Sequence, residues 1–100
     1  MKKIKPRFLV DDPYVRIARR LKCLAHPGRL RLMAELMRHE CCVGEMQKRV
    51  SLSQPHVSQS LKLLKEAGLV AGRRERRRVC YAIVDPAILR ALTILLKGVD

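Results

Sequence analysis

Two groups of side chains in this 100-residue chain are suited to chemistry, and they differ in kind. The first is a set of hydrogen-bonding groups and cations. Gln54, His56, Ser58, Gln59 and Lys62, with Ser53 just ahead of them, lie on the polar side of a stretch with helical spacing. Beyond it, Arg73, Arg74, Arg76, Arg77 and Arg78 put five guanidinium groups into six positions. Amides, hydroxyls and imidazole bond base edges and phosphates, while arginines bond phosphates or enter a minor groove. The second group is four thiols, Cys23, Cys41, Cys42 and Cys80. Thiolates bind soft metal ions and metalloids, and thiols in pairs are oxidised to disulfides.

The charge balance narrows the choice of partner. Lys and Arg number 22 against nine Asp and Glu, a net charge of +13, which repels itself unless a polyanion is near. Double-stranded nucleic acid fits this balance. Phe8, Tyr14 and Tyr81 are the only aromatic residues, too few for a platform that stacks single-stranded bases. Membrane binding would call for a basic amphipathic helix, whereas the arginine run is flanked by strand-forming sequence. There is no apolar run of about 18 residues, and the basic start Met1 to Arg7 lacks the apolar centre of a signal peptide. The chain is therefore expected to be cytoplasmic, with its cysteines serving as thiols, metal ligands or redox switches rather than structural disulfides. An enzyme is not expected: carboxylates are scarce, and no catalytic triad or phosphate-cradling glycine loop is present.

The elements that must hold these groups follow from local signals. Residues 1–11 read as a basic arm and 12–100 as one domain. Asp12 and Pro13 mark a first helix that runs to Leu24, with Tyr14, Ala18, Leu21 and Ala25 on one stripe and Ile17 and Leu24 beside it. His26-Pro27-Gly28 breaks it, and a second helix follows from Arg29 to Arg38. A strand or bridge is expected at Cys42-Val43, then a third helix from Glu45 to Val50. Ser51-Leu52-Ser53 turns into the fourth helix, capped by Ser53, opened by Pro55 and stopped by Gly68. Val57, Leu61, Leu64 and Ala67 form its apolar stripe. Two short helices joined by about three residues make a helix-turn-helix. Leu69 to Ala71 and Val79 to Val84 read as strands, so residues 72–78 become the arginine-coated tip of a hairpin, or wing. Asp85 and Pro86 begin a last helix so apolar that it needs a partner, and the first helix of a second copy is the natural one. The fold class is mainly α with a β-hairpin: a winged helix-turn-helix of about five helices plus a two-stranded wing, dimeric through its first and last helices.

Leu24-Ala25-His26-Pro27-Gly28-Arg29, Leu30-Arg31-Leu32, Cys42-Val43-Gly44-Glu45-Met46, the stretch Leu52 to Lys62 and Leu64-Lys65-Glu66-Ala67-Gly68-Leu69-Val70 resemble the ArsR/SmtB family. The resemblance implies a homodimeric repressor that binds an inverted-repeat DNA operator and leaves it when an inducer binds. His56 stands where the family often has Thr, and Ser60 where it often has His, so base preference does not carry over. Many members have a Cys-Val-Cys motif entering the third helix that binds soft metals or trivalent metalloids. Here the matching residues are Cys42, Val43 and Gly44, preceded by Cys41. The expected metal site is Cys41 and Cys42, with His39, Cys23 or a partner's cysteine as a further ligand, for arsenic, antimony, cadmium, lead or copper. No cofactor is obligatory. Other members bind zinc, nickel or cobalt through Asp and His of the last helix, and no histidine stands between Pro86 and Asp100 here. Two alternatives stay open. One is thiol-based redox or reactive-sulfur sensing, with Cys23 or Cys42 joining Cys80. The other is a ligand-independent architectural DNA-binding protein.

Overall fold

Asp12 opens the fold as a helix cap, its carboxylate accepting from the Tyr14 N–H at 2.8 Å with Pro13 next in line. The computed structural model describes residues 12–38 and 41–99, and for residues 41 and 42 the backbone. Helix α1 spans Pro13–Leu24 and α2 spans Pro27–Arg38. Only Ala25 and His26 separate them, because Pro27 and Gly28 belong to the first turn of α2 and do not break it. His26 has the local role expected of it, its Nδ1 accepting from the Gly28 N–H at 3.0 Å. A Cβ on Gly28 would meet that imidazole at 3.0 Å, so a larger residue there would require the His26 ring to shift.

Strand β1 is Cys41–Cys42, and helix α3, Val43–Val50, follows without a break. The strand therefore lies one residue earlier, and the helix begins two residues earlier, than the sequence suggested. Helix α4 is Gln54–Glu66, with Ser53 as its cap and Gly68 in the left-handed region at φ 79°. Strands β2, Val70–Glu75, and β3, Arg78–Ile83, form the wing, and helix α5, Pro86–Leu95, is capped by Asp85. The sheet order is β1-β3-β2, both pairs antiparallel. Among the described residues no helix is long and apolar enough to cross a membrane.

Leu32 and Met33 of α2, Met46 of α3, Val57, Leu61 and Leu64 of α4, and Leu92 of α5 are buried together and fix the helix-turn-helix against the body. Glu35 adds a polar clamp between its two supporting helices. Its buried carboxylate meets Arg38 at 2.9 Å and Arg49 of α3 at 3.5 Å. The stripe on α1 behaves differently. Tyr14, Ile17 and Leu21 stay exposed, as do Ile94 and Leu95 near the end of α5, with Tyr14 79% and Ile94 74% accessible. Apolar surface of this extent on two elements is of the kind that protein–protein contacts cover.

The turn between α3 and α4 carries a conformational cost. Ser51 has φ 56°, a left-handed conformation that a residue with a Cβ rarely adopts. Ser51→Gly is expected to raise stability by about 0.5–1 kcal/mol, or roughly 2–8 °C in melting temperature for a domain of this size. A thermal melt followed by circular dichroism checks it, and an unchanged or lower midpoint would show that the turn is not strained.

Candidate nucleic-acid interface and thiol site

Helix α4 divides its residues as its sequence implied, with one exception. Val57, Leu61 and Leu64 are buried, whereas Gln54, His56, Ser58, Gln59 and Lys62 are exposed. The exception is Ser60, 8% accessible, which belongs to the packed side. Of the two departures from the family pattern, only His56 is exposed. Ser53 both caps and orients. Its Oγ accepts from the His56 N–H at 3.4 Å and lies 2.8 Å from His56 Nδ1. A hydroxyl that donates to Nδ1 suits the imidazole protonated on Nε2 and leaves that nitrogen for another partner.

The arginines are spread along the wing rather than gathered at its tip. Arg73 and Arg74 lie within β2, Arg78 opens β3, and the turn itself is Arg76-Arg77 between the paired residues Glu75 and Arg78. Arginine is a poor strand former, which hid this extent in the sequence. What lengthens the strands is a two-residue turn, made possible by φ 58° at Arg76. All five arginines are exposed. The guanidinium of Arg73 is held by Glu75 at 2.7 Å. Glu75 also accepts from the Cys80 thiol at 3.5 Å. The hydrogen bond from Arg73, then that from Cys80, holds its carboxyl below the usual range. The alternation Arg73-x-Glu75 on a strand was the signal that could have revealed this pairing.

The thiols fall into two places. Cys23 lies half-buried on α1, at a cavity of about 270 Å³ lined by Arg19, Lys22, Arg29, Leu63, Glu66 and Ala67. Burial pushes its thiol up, and the nearby Arg29 cation offsets part of that. None of those neighbours belongs to β1 or β3. Cys80 is buried in β3, and the strand register sets Cys42 directly opposite it, with Cys41 opposite Tyr81. Because β1 is extended through both residues, positions 41 and 42 belong to opposite faces of the sheet. Among the described residues no three His, Cys, Asp or Glu side chains gather as a metal cluster. His39, named as a further ligand, lies outside the described residues.

Comparison with known proteins agrees with this architecture. Residues 26–71 match the profile of the bacterial regulatory proteins of the arsR family. The biofilm growth-associated repressor of Agrobacterium fabrum is 40% identical over 75 residues, 75% of this chain and 64% of that protein. The chain thus spans under two thirds of that relative's length. HlyU from Vibrio cholerae superposes with a TM-score of 0.81 at 30% identity, covering 88% of this chain and 96% of that one. A second structure of it, named as the reduced protein, also gives 0.81. The homodimeric winged helix-turn-helix domain of Mb0332 from Mycobacterium bovis gives 0.79 at 27% identity over 96% of this chain and 85% of that one. With the helix-turn-helix, the arginine wing and these matches in agreement, the chain belongs to the ArsR/SmtB family of winged helix-turn-helix transcriptional regulators.

Proposed function

We propose that this protein is a cytoplasmic repressor that binds an inverted-repeat DNA operator as a homodimer and is released by an inducer acting on its thiols. The observation that carries the DNA reading is the exposed row Gln54, His56, Ser58, Gln59 and Lys62 on a helix adjoining a wing with five exposed arginines. In the major groove the amides and imidazole meet base edges, and Ser53 and Lys62 meet phosphates. Arg73, Arg74, Arg76, Arg77 and Arg78 supply the backbone and minor-groove contacts. The homodimer is supported by the exposed apolar stripes on α1 and α5 and by the homodimeric state in the name of the similar Mb0332 domain.

For the inducer, the register favours thiol oxidation over chelation by Cys41 and Cys42. Two positions on opposite faces of a strand do not present two thiolates to one ion, and burial disfavours the thiolate of Cys23. A soft metal or trivalent metalloid held by Cys42 and Cys80 is the second reading, favoured by their facing register.

The test begins with an operator enriched from random-sequence DNA and mapped by footprinting. A discrete palindrome is expected, and diffuse protection would make the protein architectural. Gln59→Ala and Gln54→Ala should each weaken operator binding by about 1–3 kcal/mol, with little change on random duplex. Equal losses on both DNAs would mean that α4 does not read bases.

A further inference from the structure

Building on that reading, in which thiols carry the signal, we propose that Cys42 and Cys80 form one modification site. They constitute a cross-strand dithiol that a peroxide converts to a disulfide, fixing the wing against the strand that leads into α3. The register is the first ground, since the two residues are directly opposed in the β1–β3 ladder. Opposed positions of an antiparallel pair have Cα atoms about 4.5 or 5.5 Å apart, depending on whether the pair is hydrogen-bonded. Both spacings fall within the roughly 4.4–6.8 Å found in disulfides. The link therefore forms without moving the strands apart.

The surroundings of Cys80 are the second ground. It is buried, and its S–H donates to Glu75, which Arg73 holds in turn. Burial shields Cys80 from an oxidant in solution, so the first attack is assigned to Cys42. The Cys42 thiolate breaks the peroxide O–O bond, giving a sulfenic acid and releasing an alcohol, or water when the oxidant is hydrogen peroxide. The Cys80 sulfur then attacks the sulfenic sulfur. An S–S bond forms, the S–O bond breaks, and the departing hydroxide takes the Cys80 thiol proton and leaves as water. In sum, two thiols lose two electrons and two protons, and one peroxide becomes an alcohol and water.

Topology is the third ground. β1 runs directly into α3, the first helix of the helix-turn-helix, and β3 is the central strand of the sheet that forms the wing. A two-residue ladder is a weak hinge, because so short a pairing is marginal alone. A covalent link removes the freedom with which the wing fits its groove while α4 occupies the next one. The oxidised protein accordingly binds its operator more weakly.

The experiment uses the whole chain, reduced and then treated with a stoichiometric amount of hydrogen peroxide or an organic hydroperoxide. Peptide mass spectrometry should find Cys42 joined to Cys80. Operator affinity, read by fluorescence anisotropy, should fall about 5- to 150-fold, the ordinary range of coupling between sites, and return with dithiothreitol. Cys80→Ser and Cys80→Ala should each bind like the reduced protein and ignore peroxide, the two replacements guarding against a packing defect in either. A link between other cysteines, a Cys42–Cys80 link that leaves affinity unchanged, or a response that survives both substitutions would overturn the proposal. So would release by arsenite or cadmium under reductant with none by peroxide. Reduced protein that binds no operator would refute the repressor reading and this inference with it, whereas operator binding that peroxide leaves intact refutes the inference alone.

Discussion

Replacing Arg76, Arg77 and Arg78 with alanine is expected to weaken binding to every duplex, operator and random alike, and to flatten the dependence of affinity on salt. These three form the exposed turn of the wing and open its second strand. Each lost phosphate contact removes about 0.9 from the slope of log affinity against log salt, so three remove roughly 2.7. Extrapolated from 1 M salt, where that contribution vanishes, to 0.1 M, the loss is roughly 500-fold. Anisotropy titrations across a salt series measure both quantities. An unchanged slope would remove the wing from the phosphate contacts, and a loss confined to operator would mean that the arginines read sequence. The substitutions fall in an exposed turn and at its closing pair, so a thermal melt should show the domain intact.

What the sequence disclosed and what it withheld divide along a physical line. Caps are local: Asp12, Ser53, Asp85 and Gly68 announced three helix starts and one stop because each acts within about one turn of itself. The polar face of α4 was legible by periodicity except at Ser60, where a small polar residue fills a packed position that its side chain does not advertise. The strands were harder. Arg73 and Arg74 gave no β signal, and the length of β2 depends on a left-handed φ at Arg76 that arginine does not suggest. Cys42 with Cys80 was one of two pairings open from the sequence, and the register that opposes these two was beyond local reasoning. It joins a two-residue strand to one far along the chain, and register of that kind is set by the packing of the whole domain. Between the two thiol sites open from the sequence, the sheet thus favours the opposed Cys42 and Cys80 over the adjacent Cys41 and Cys42.

The second large effect should come from the apolar stripes. Leu21→Glu combined with Ile94→Glu is expected to leave the domain folded but monomeric, because both side chains are exposed within a single chain. Tyr14, Ile17, Leu21, Ile94 and Leu95 together present the apolar surface that a partner would cover, and full burial of each large side chain is worth about 1.5–3 kcal/mol. A two-fold axis uses the same patch on both copies, so each glutamate enters the interface twice, desolvated and facing like charge. Sedimentation should show the monomer. DNA binding should fall much further than any single base contact explains, since a lone α4 reads one half-site and loses the roughly 10²- to 10⁴-fold gain from holding two recognition helices together. The residual affinity should be the same for a full palindrome and for an isolated half-site, which separates lost dimerisation from a damaged DNA surface. If the doubly substituted protein still sediments as a dimer, the copies meet elsewhere, and the exposed faces of α1 and α5 must be covered by something other than a second copy.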